Sequence, residues 1–420
     1  MVVDVRPLRV PAYRRLWASS IVTVIGSQLT AVSVPLQVYA VTGSSSYVGL
    51  SGAFALVPLV IFGLWGGAIA DAVDRRKLLL LTNAGIAITS LGLWAQAAAG
   101  NRSVWPIFAL LMLQQAFFGM NSPARQAIVP RLVPANLLPA ANALNGGVMQ
   151  IGMICGPLLA GALIPVLGLS TMYLIDTVGL VLTLFAVYRL PALPPLSGAP
   201  RRAGLRDVVD GLRYTARHSV LLVSFLADII AMVLGMPRAL FPELAQRTFG
   251  GPASGGLALG LLYAAIPIGG LLAGLLSGLF TRTARHGAVV AVAVCGWGLA
   301  VAGFGLTDWL WLATLLLGLA GACDVVSMVM RSSILQLAAT DDMRGRMQGA
   351  FTVVVAGGPR LADLLHGMVG ATIGAGAATA GGGLFVVVAM IATVLLVPAF
   401  WRYRADYHGD DHGIAGHESM

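Results

Sequence analysis

The sequence predicts an all-α integral membrane protein of about twelve transmembrane helices grouped as two six-helix bundles, and three observations make that prediction. The first is composition. Of 420 residues, 58% are hydrophobic and only 10% are Asp, Glu, Lys or Arg, with a mean hydropathy of +0.86, against roughly a quarter charged in a soluble domain. The second is a series of twelve apolar runs long enough to cross a bilayer. The third is the placing of basic residues, which collect on one side of those runs.

A ~30 Å hydrocarbon core needs about 20 helical residues. Runs of that kind fall at 16–41, 47–70, 78–99, 104–122, 139–165, 171–189, 219–242, 257–280, 288–306, 309–330, 350–376 and 380–401. The first is too long for the apolar stretch of a secretory leader and is expected to stay as a span. The 52 Gly suit helices that pack in lipid through small residues. Cys155, Cys295 and Cys323 lie singly inside runs, with neither metal nor disulfide spacing.

The connections set the orientation. Arg6, Arg9, Arg14 and Arg15 precede the first run, Arg75, Arg76 and Lys77 join the second to the third, and Arg125 and Arg131 follow the fourth. Six more lie from Arg189 to Arg217, followed by Arg282, Arg285, Arg331, Arg344, Arg346, Arg402 and Arg404. On this count 22 of the 26 Lys and Arg share one side, so both termini are expected in the cytoplasm and the chain in the inner (plasma) membrane. Basic residues at run ends, without interleaved aromatics, also argue against a nucleic-acid partner despite the net charge of +9.

Residues 191–218 are the longest polar connection. They are Pro-rich as far as Pro200, after which Leu205, Val208, Val209 and Leu212 fall at helical spacing, as in an amphipathic helix lying on the inner membrane surface. The chain thus divides into a bundle over 1–190, a linker over 191–218, a bundle over 219–405 and a disordered tail over 406–420. In that tail His408, His412 and His417 stand among Gly and acids. A shift of 206 residues lays Arg125, Ile128, Asn136 and Asn142 on Arg331, Ile334, Asp342 and Gln348. Such a repeat is consistent with two related halves around a central cavity.

Ionisable residues inside the runs point to function, since a charge near the bilayer centre costs at least ~2.5 kcal/mol. At ~1.5 Å per residue, Asp228 lies about 13 Å into the seventh run and Arg360 about 15 Å into the eleventh. Asp363 and His366 follow Arg360 at i+3 and i+6. Arg360 needs an anion, and Asp228 and Asp363 are the acids expected to reach it, either as a staple between helices or as carriers of a proton. Asp324 and Asp176 read as nearer the two surfaces.

Two polar stripes are the candidates for a substrate cavity. Gly26, Thr30, Ser33 and Gln37 in the first run, and Gln114, Phe118, Asn121 and Arg125 in the fourth, both fall at 0, 4, 7 and 11. Polar side chains on one face of a buried helix meet protein or water; hydrogen bonding between helices accounts for the first stripe as well as a cavity does. No P-loop, catalytic triad, zinc spacing or dinucleotide loop is present in a suitable context.

Gly67-Ala-Ile-Ala-Asp71-Ala-Val-Asp74-Arg75-Arg76-Lys77 resembles the second-to-third loop signature of the major facilitator superfamily. Ser122-Pro-Ala-Arg125-Gln126, Leu138-Pro-Ala-Ala-Asn142-Ala-Leu144, Gly156-Pro157 and Gly161 are similar to its enterobactin-exporter-like (transmembrane secretion effector) branch, and the last three also resemble the fifth-span motif of drug–proton antiporters. The likeness extends to about residue 405. It implies the major facilitator fold and a secondary active transporter working by alternating access. Its expected task is proton-coupled export of a small molecule of the drug or siderophore class, as a monomer among membrane lipids. It implies no cofactor, with the proton gradient as energy source. Import of a nutrient by the same fold would share every physical feature above, whereas a non-transporting scaffold would leave Asp228 and Arg360 unexplained.

The resemblance assigns gating to Gly67, Asp71, Asp74, Arg75, Arg76, Arg125, Gly156, Pro157 and Gly161; proton-coupled members often place an arginine at the position of Arg125. Asp71 is suited to accept hydrogen bonds from an opposing helix N-terminus, and the eleventh span begins on the same side. Two departures stand out. Asp74 occupies a position usually held by Gly, and Ala72 one usually held by a basic residue. In the eighth-to-ninth loop, Ser277 to Gly287, the usual acid is missing, with Thr281 near its place.

Overall fold

The computed structural model describes residues 4–194, 210, 213–281, 283–338 and 341–404, and of residues 64, 66–68, 70–72, 338, 341–354 and 356 it describes the backbone only. The first bundle consists of α1 (Pro11–Thr42), α2 (Ser45–Ala72), α3 (Arg75–Ala98), α4 (Trp105–Leu132), α5 (Leu138–Leu167) and α6 (Leu169–Tyr188). The second consists of α7 (Ser219–Thr248), α8 (Leu257–Leu275), α9 (His286–Leu306), α10 (Leu310–Ala338), α11 (Asp341–Ile373) and α12 (Ala375–Leu396), with a short terminal helix, Pro398–Arg402. Among the described residues ten of these are long and apolar enough to cross a membrane. The other two, α4 and α11, have 28 and 33 residues. Side chains such as Leu279, Leu396 and Val166, each at least 80% exposed, form the apolar belt that lipid would cover.

Several helices outrun the apolar stretches that announced them, because a helix satisfies its own backbone and continues past the hydrocarbon. α4 ends at Leu132 and α10 at Ala338. Arg125 and Arg331 therefore lie seven residues inside their helices, about 10 Å from the ends at 1.5 Å per residue. Arg238, inside the seventh run of 219–242, falls inside α7. That helix is interrupted: an α-helical Ser219–Ile229 passes into a π-turn over Ile230–Leu234, and the regular winding breaks at Gly235-Met236-Pro237 before it resumes. Pro237 cannot donate a backbone hydrogen bond, and Gly235 is packed so tightly that a Cβ there would lie 2.5 Å from Trp297 Nε1.

The repeat is visible in the backbone. Gly168 turns α5 into α6 with φ 80° and ψ 157°, and Gly374, 206 residues later, turns α11 into α12 with φ 91° and ψ 148°. Both require the positive φ that glycine adopts without strain.

The departure at Asp74 has a structural reason. Its Oδ1 caps α3, accepting from the Arg76 N–H at 2.8 Å, while Oδ2 accepts from the Leu193 N–H at 3.3 Å. Arg75 donates to the Ala127 carbonyl at 3.0 Å, Arg76 to that of Tyr188 at 2.5 Å, and Arg131 to that of Pro194 at 2.6 Å. The basic loop thus ties the ends of α4 and α6 together. The side chain of Asp71 lies outside the described residues, as do residues 195–209, 211 and 212 of the linker and the tail from 405; residues 213–217 of the amphipathic segment are helical.

Candidate functional site

We call the side on which α1 begins the basic face and the opposite side the far face. The two bundles meet towards the far face through α2 with α11 and α5 with α8. There, Ser45 bonds the Glu243 carboxylate, Arg247 pairs with Glu243 at 3.2 Å and sits over the Tyr39 ring, and the Ser46 hydroxyl donates to the Gly367 carbonyl at 3.4 Å. Glycine permits this closeness: a Cβ on Gly52 would lie 2.8 Å from Asp363 Cβ, and one on Gly161 would lie 2.7 Å from the Gly256 carbonyl oxygen. Of the fifth-span motif, Gly161 and the Pro157 carbonyl face Gly260 of α8, whereas Gly156 packs on Gln28 of α1. Gln150 crosses between the bundles deeper in, donating to the Pro267 carbonyl at 2.9 Å.

Inside the second bundle the acids and arginines sort differently from the expectation. Asp228 forms an ion pair with Arg331, not with Arg360. The reason is the length of α10, which carries Arg331 into the membrane opposite α7; both side chains are at most 4% exposed. Asp324, two turns back along α10, approaches the same guanidinium at 4.0 Å. It stands fourteen residues from either end of α10, so it is central rather than superficial. One Asp228 oxygen remains without a partner.

Arg360 and Asp363 belong to a second cluster. Asp363 is an electrostatic neighbour of Arg360 and Arg238 and lies beside the Ala239 backbone amide of the interrupted part of α7; Tyr263 of α8 adjoins the same charges. The break in α7 therefore brings backbone and a second arginine to the neighbourhood of an intramembrane acid, as discontinuous transport helices do for ions and substrates. His366 is buried two turns nearer the far face than Arg360, against Gly382.

The polar stripes turn mostly into the first bundle. Thr30 and Ser90 donate to Asp176 Oδ2 at 2.9 and 2.8 Å. Gln37 and Gln96 exchange bonds at 3.0 and 3.1 Å, and the Tyr173 hydroxyl donates to Gln37 at 2.9 Å. Asn121 donates to Thr82 at 2.8 Å. Hydrogen bonds between neighbouring helices thus account for Thr30, Gln37 and Asn121. Ser33 and Gln114 are buried, while Phe118 is 46% exposed. Arg125 reaches from α4 to the Ser20 hydroxyl of α1 at 3.0 Å. Asp176 and Arg331 are the residues whose importance the sequence understated. The 206-residue repeat did place Arg331 beside Arg125, and that was the signal for its depth.

The arrangement offers glycine-lined contacts closing one face and ion pairs buried in one bundle. Known proteins agree with it. A family model described as "Transmembrane secretion effector" matches residues 3–406. The enterobactin exporter of Shigella boydii serotype 18 is 30% identical over 389 residues, 92% of each chain, and that of Citrobacter koseri 28% identical over 395 residues, 94% of each. Among solved structures, the nucleoside transporter NupG superposes with a TM-score of 0.74 at 14% identity, covering 94% of this chain and 100% of that one. A D-xylose–proton symporter gives 0.70 at 15%, covering 94% and 99%. The chain belongs to the transmembrane secretion effector family of the major facilitator superfamily, a family of secondary transporters.

Proposed function

We propose that this protein exports a siderophore-class small molecule from the cytoplasm across the inner membrane, by alternating access driven by the proton gradient. The exporter relatives support the cargo class and direction. The observation that carries the coupling is Arg331 held between Asp228 and Asp324. A buried arginine shared by two acids gives a proton a defined competitor: protonating either carboxylate frees the guanidinium to strengthen its bond with the other, which shifts α7 relative to α10. Asp363, an electrostatic neighbour of Arg360 and Arg238, is the second place where a proton would compete with arginine charge. The far-face contacts describe one end of the cycle, with the halves joined by α2–α11 and α5–α8; loading from the basic face requires that the cytoplasm lie there.

Expression in an Escherichia coli strain lacking its own enterobactin exporter tests the cargo. Secreted enterobactin is expected to be restored and to disappear when an uncoupler collapses the proton gradient. Membrane-inserted, folded protein that secretes none would remove this cargo. Orientation has its own test: alkaline phosphatase fused after Arg404 is expected to be inactive, since the basic connections favour a cytoplasmic C-terminus. Strong phosphatase activity in that fusion would reverse the assignment of faces and with it the direction of transport.

A further inference from the structure

The two bundles carry matching arginines with unequal partners. Arg125 and Arg331 each lie seven residues from the basic-face end of α4 and α10. Opposite them, Ser20 and Asp228 each lie nine residues from the start of α1 and α7. In the second bundle the arginine meets a carboxylate, is 3% exposed and has a further acid at 4.0 Å. In the first bundle it meets a hydroxyl at 3.0 Å and is only half-buried.

A guanidinium carries five N–H donors and a charge that one hydroxyl cannot balance. Among the described residues no ion pair to Arg125 forms, and the buried acid Asp176 is too distant. Asp176 is bonded to Thr30, ten residues along α1 from Ser20, which is about 15 Å at 1.5 Å per residue. Within the membrane an uncompensated arginine is costly unless something supplies the anion. Here α4 packs on α2 and α3, and α1 on α5 and α6. Few contacts join α1 to α4, so Arg125 projects towards a seam between them.

We propose that Arg125 is the docking point for an anionic group of the cargo, a carboxylate or an equivalent pair of anionic oxygens that takes the place Asp228 occupies beside Arg331. The guanidinium fork matches such a pair bidentately. The cargo is accordingly an organic anion, bound by the first bundle, while the second bundle keeps its internal acids. This rests on the transporter reading above but is tested by binding, which does not depend on transport.

The test exploits the asymmetry. Benzoate, salicylate and 2-naphthoate, each beside its amide, are titrated calorimetrically into the purified full-length protein. Each acid is expected to bind at least tenfold more tightly than its amide. Arg125→Gln should abolish that preference and Arg125→Lys should keep part of it. Ser20→Asp is the decisive variant, because it supplies Arg125 with an internal carboxylate like that of Asp228: the preference should vanish while the yield of folded protein is unchanged or higher. If the acids bind no better than the amides in the unaltered protein, or if the preference survives in Ser20→Asp or in folded Arg125→Gln, the proposal is overturned. Failure to export enterobactin alongside an Arg125-dependent preference for the acids would fault the cargo named above and support this site.

Discussion

Asp228→Asn is expected to abolish uphill transport while leaving downhill movement of cargo measurable. The carboxylate faces Arg331 in a place where each side chain is at most 4% exposed, and without it Asp324, at 4.0 Å, is the acid left to the guanidinium. The substitution keeps the shape and a carbonyl acceptor but removes the charge a proton could titrate. It also leaves Arg331 undercompensated, and removing one partner of a buried pair costs about 3–5 kcal/mol. Loss of coupling and loss of fold must therefore be separated. The double variant Asp228→Asn with Arg331→Gln does so, since replacing both members by neutral groups removes the unpaired charge. Its folded yield should recover towards that of the unaltered protein, yet in vesicles with an imposed pH gradient it should only equilibrate cargo. Uphill pumping by the double variant, at the normal rate per folded molecule, would eliminate the triad as the coupling site. Asp363, the electrostatic neighbour of Arg360 and Arg238, would then be the next candidate.

What the sequence displayed, and what it concealed, follows from the ranges of the forces involved. Span number and pairing into halves were legible because hydropathy is summed over about 20 residues and survives local error. The repeat was legible too, as Gly168 and Gly374 confirm through matching dihedrals. Side-chain partners were not. Asp228 was assigned to Arg360 because both lie deep, but depth says nothing of azimuth, and the true partner was hidden by a run that stopped at residue 330 just before Arg331. The seventh run stopped at residue 242, whereas α7 continues to Thr248, because the helix carries on past the apolar stretch. The first-span stripe was read correctly as one polar face. Whether that face met a cavity or Asp176 depended on α6, 146 residues away from Thr30. Asp74 shows the opposite case, in which a departure from a family signature proved to be an N-cap that any Ser, Asp or Asn before a helix could have announced.

Gly161→Leu is expected to reduce transport more than tenfold without lowering the folded yield. Gly161 lies six residues from the far end of α5 and faces α8, where a Cβ would stand 2.7 Å from the Gly256 carbonyl oxygen and 2.9 Å from Gly260 Cα. Those neighbours are backbone, so no side chain can rotate out of the way; the reciprocal Cβ on Gly260 would stand 2.9 Å from the Pro157 carbonyl oxygen. A leucine must therefore separate the helices. Overpacking of this kind costs about 1–3 kcal/mol, and because Gly161 joins the bundles rather than filling either core, the cost falls on the far-closed state alone. A bias of that size shifts a two-state equilibrium by roughly 5–150-fold towards the far-open state. Labelling can follow the shift. Ser45, 1% exposed at the far-face contact with Glu243, is replaced by Cys in a background where Cys155, Cys295 and Cys323 are Ala, and a membrane-impermeant maleimide is added from the far side. Gly161→Leu should speed the labelling of that cysteine, and Gly161→Ala should do so less. Labelling and transport both within twofold of the parent would mean that α5 and α8 separate without resistance at this point, and the gate would have to lie between α2 and α11, where Gly52 and Gly367 make the corresponding approach.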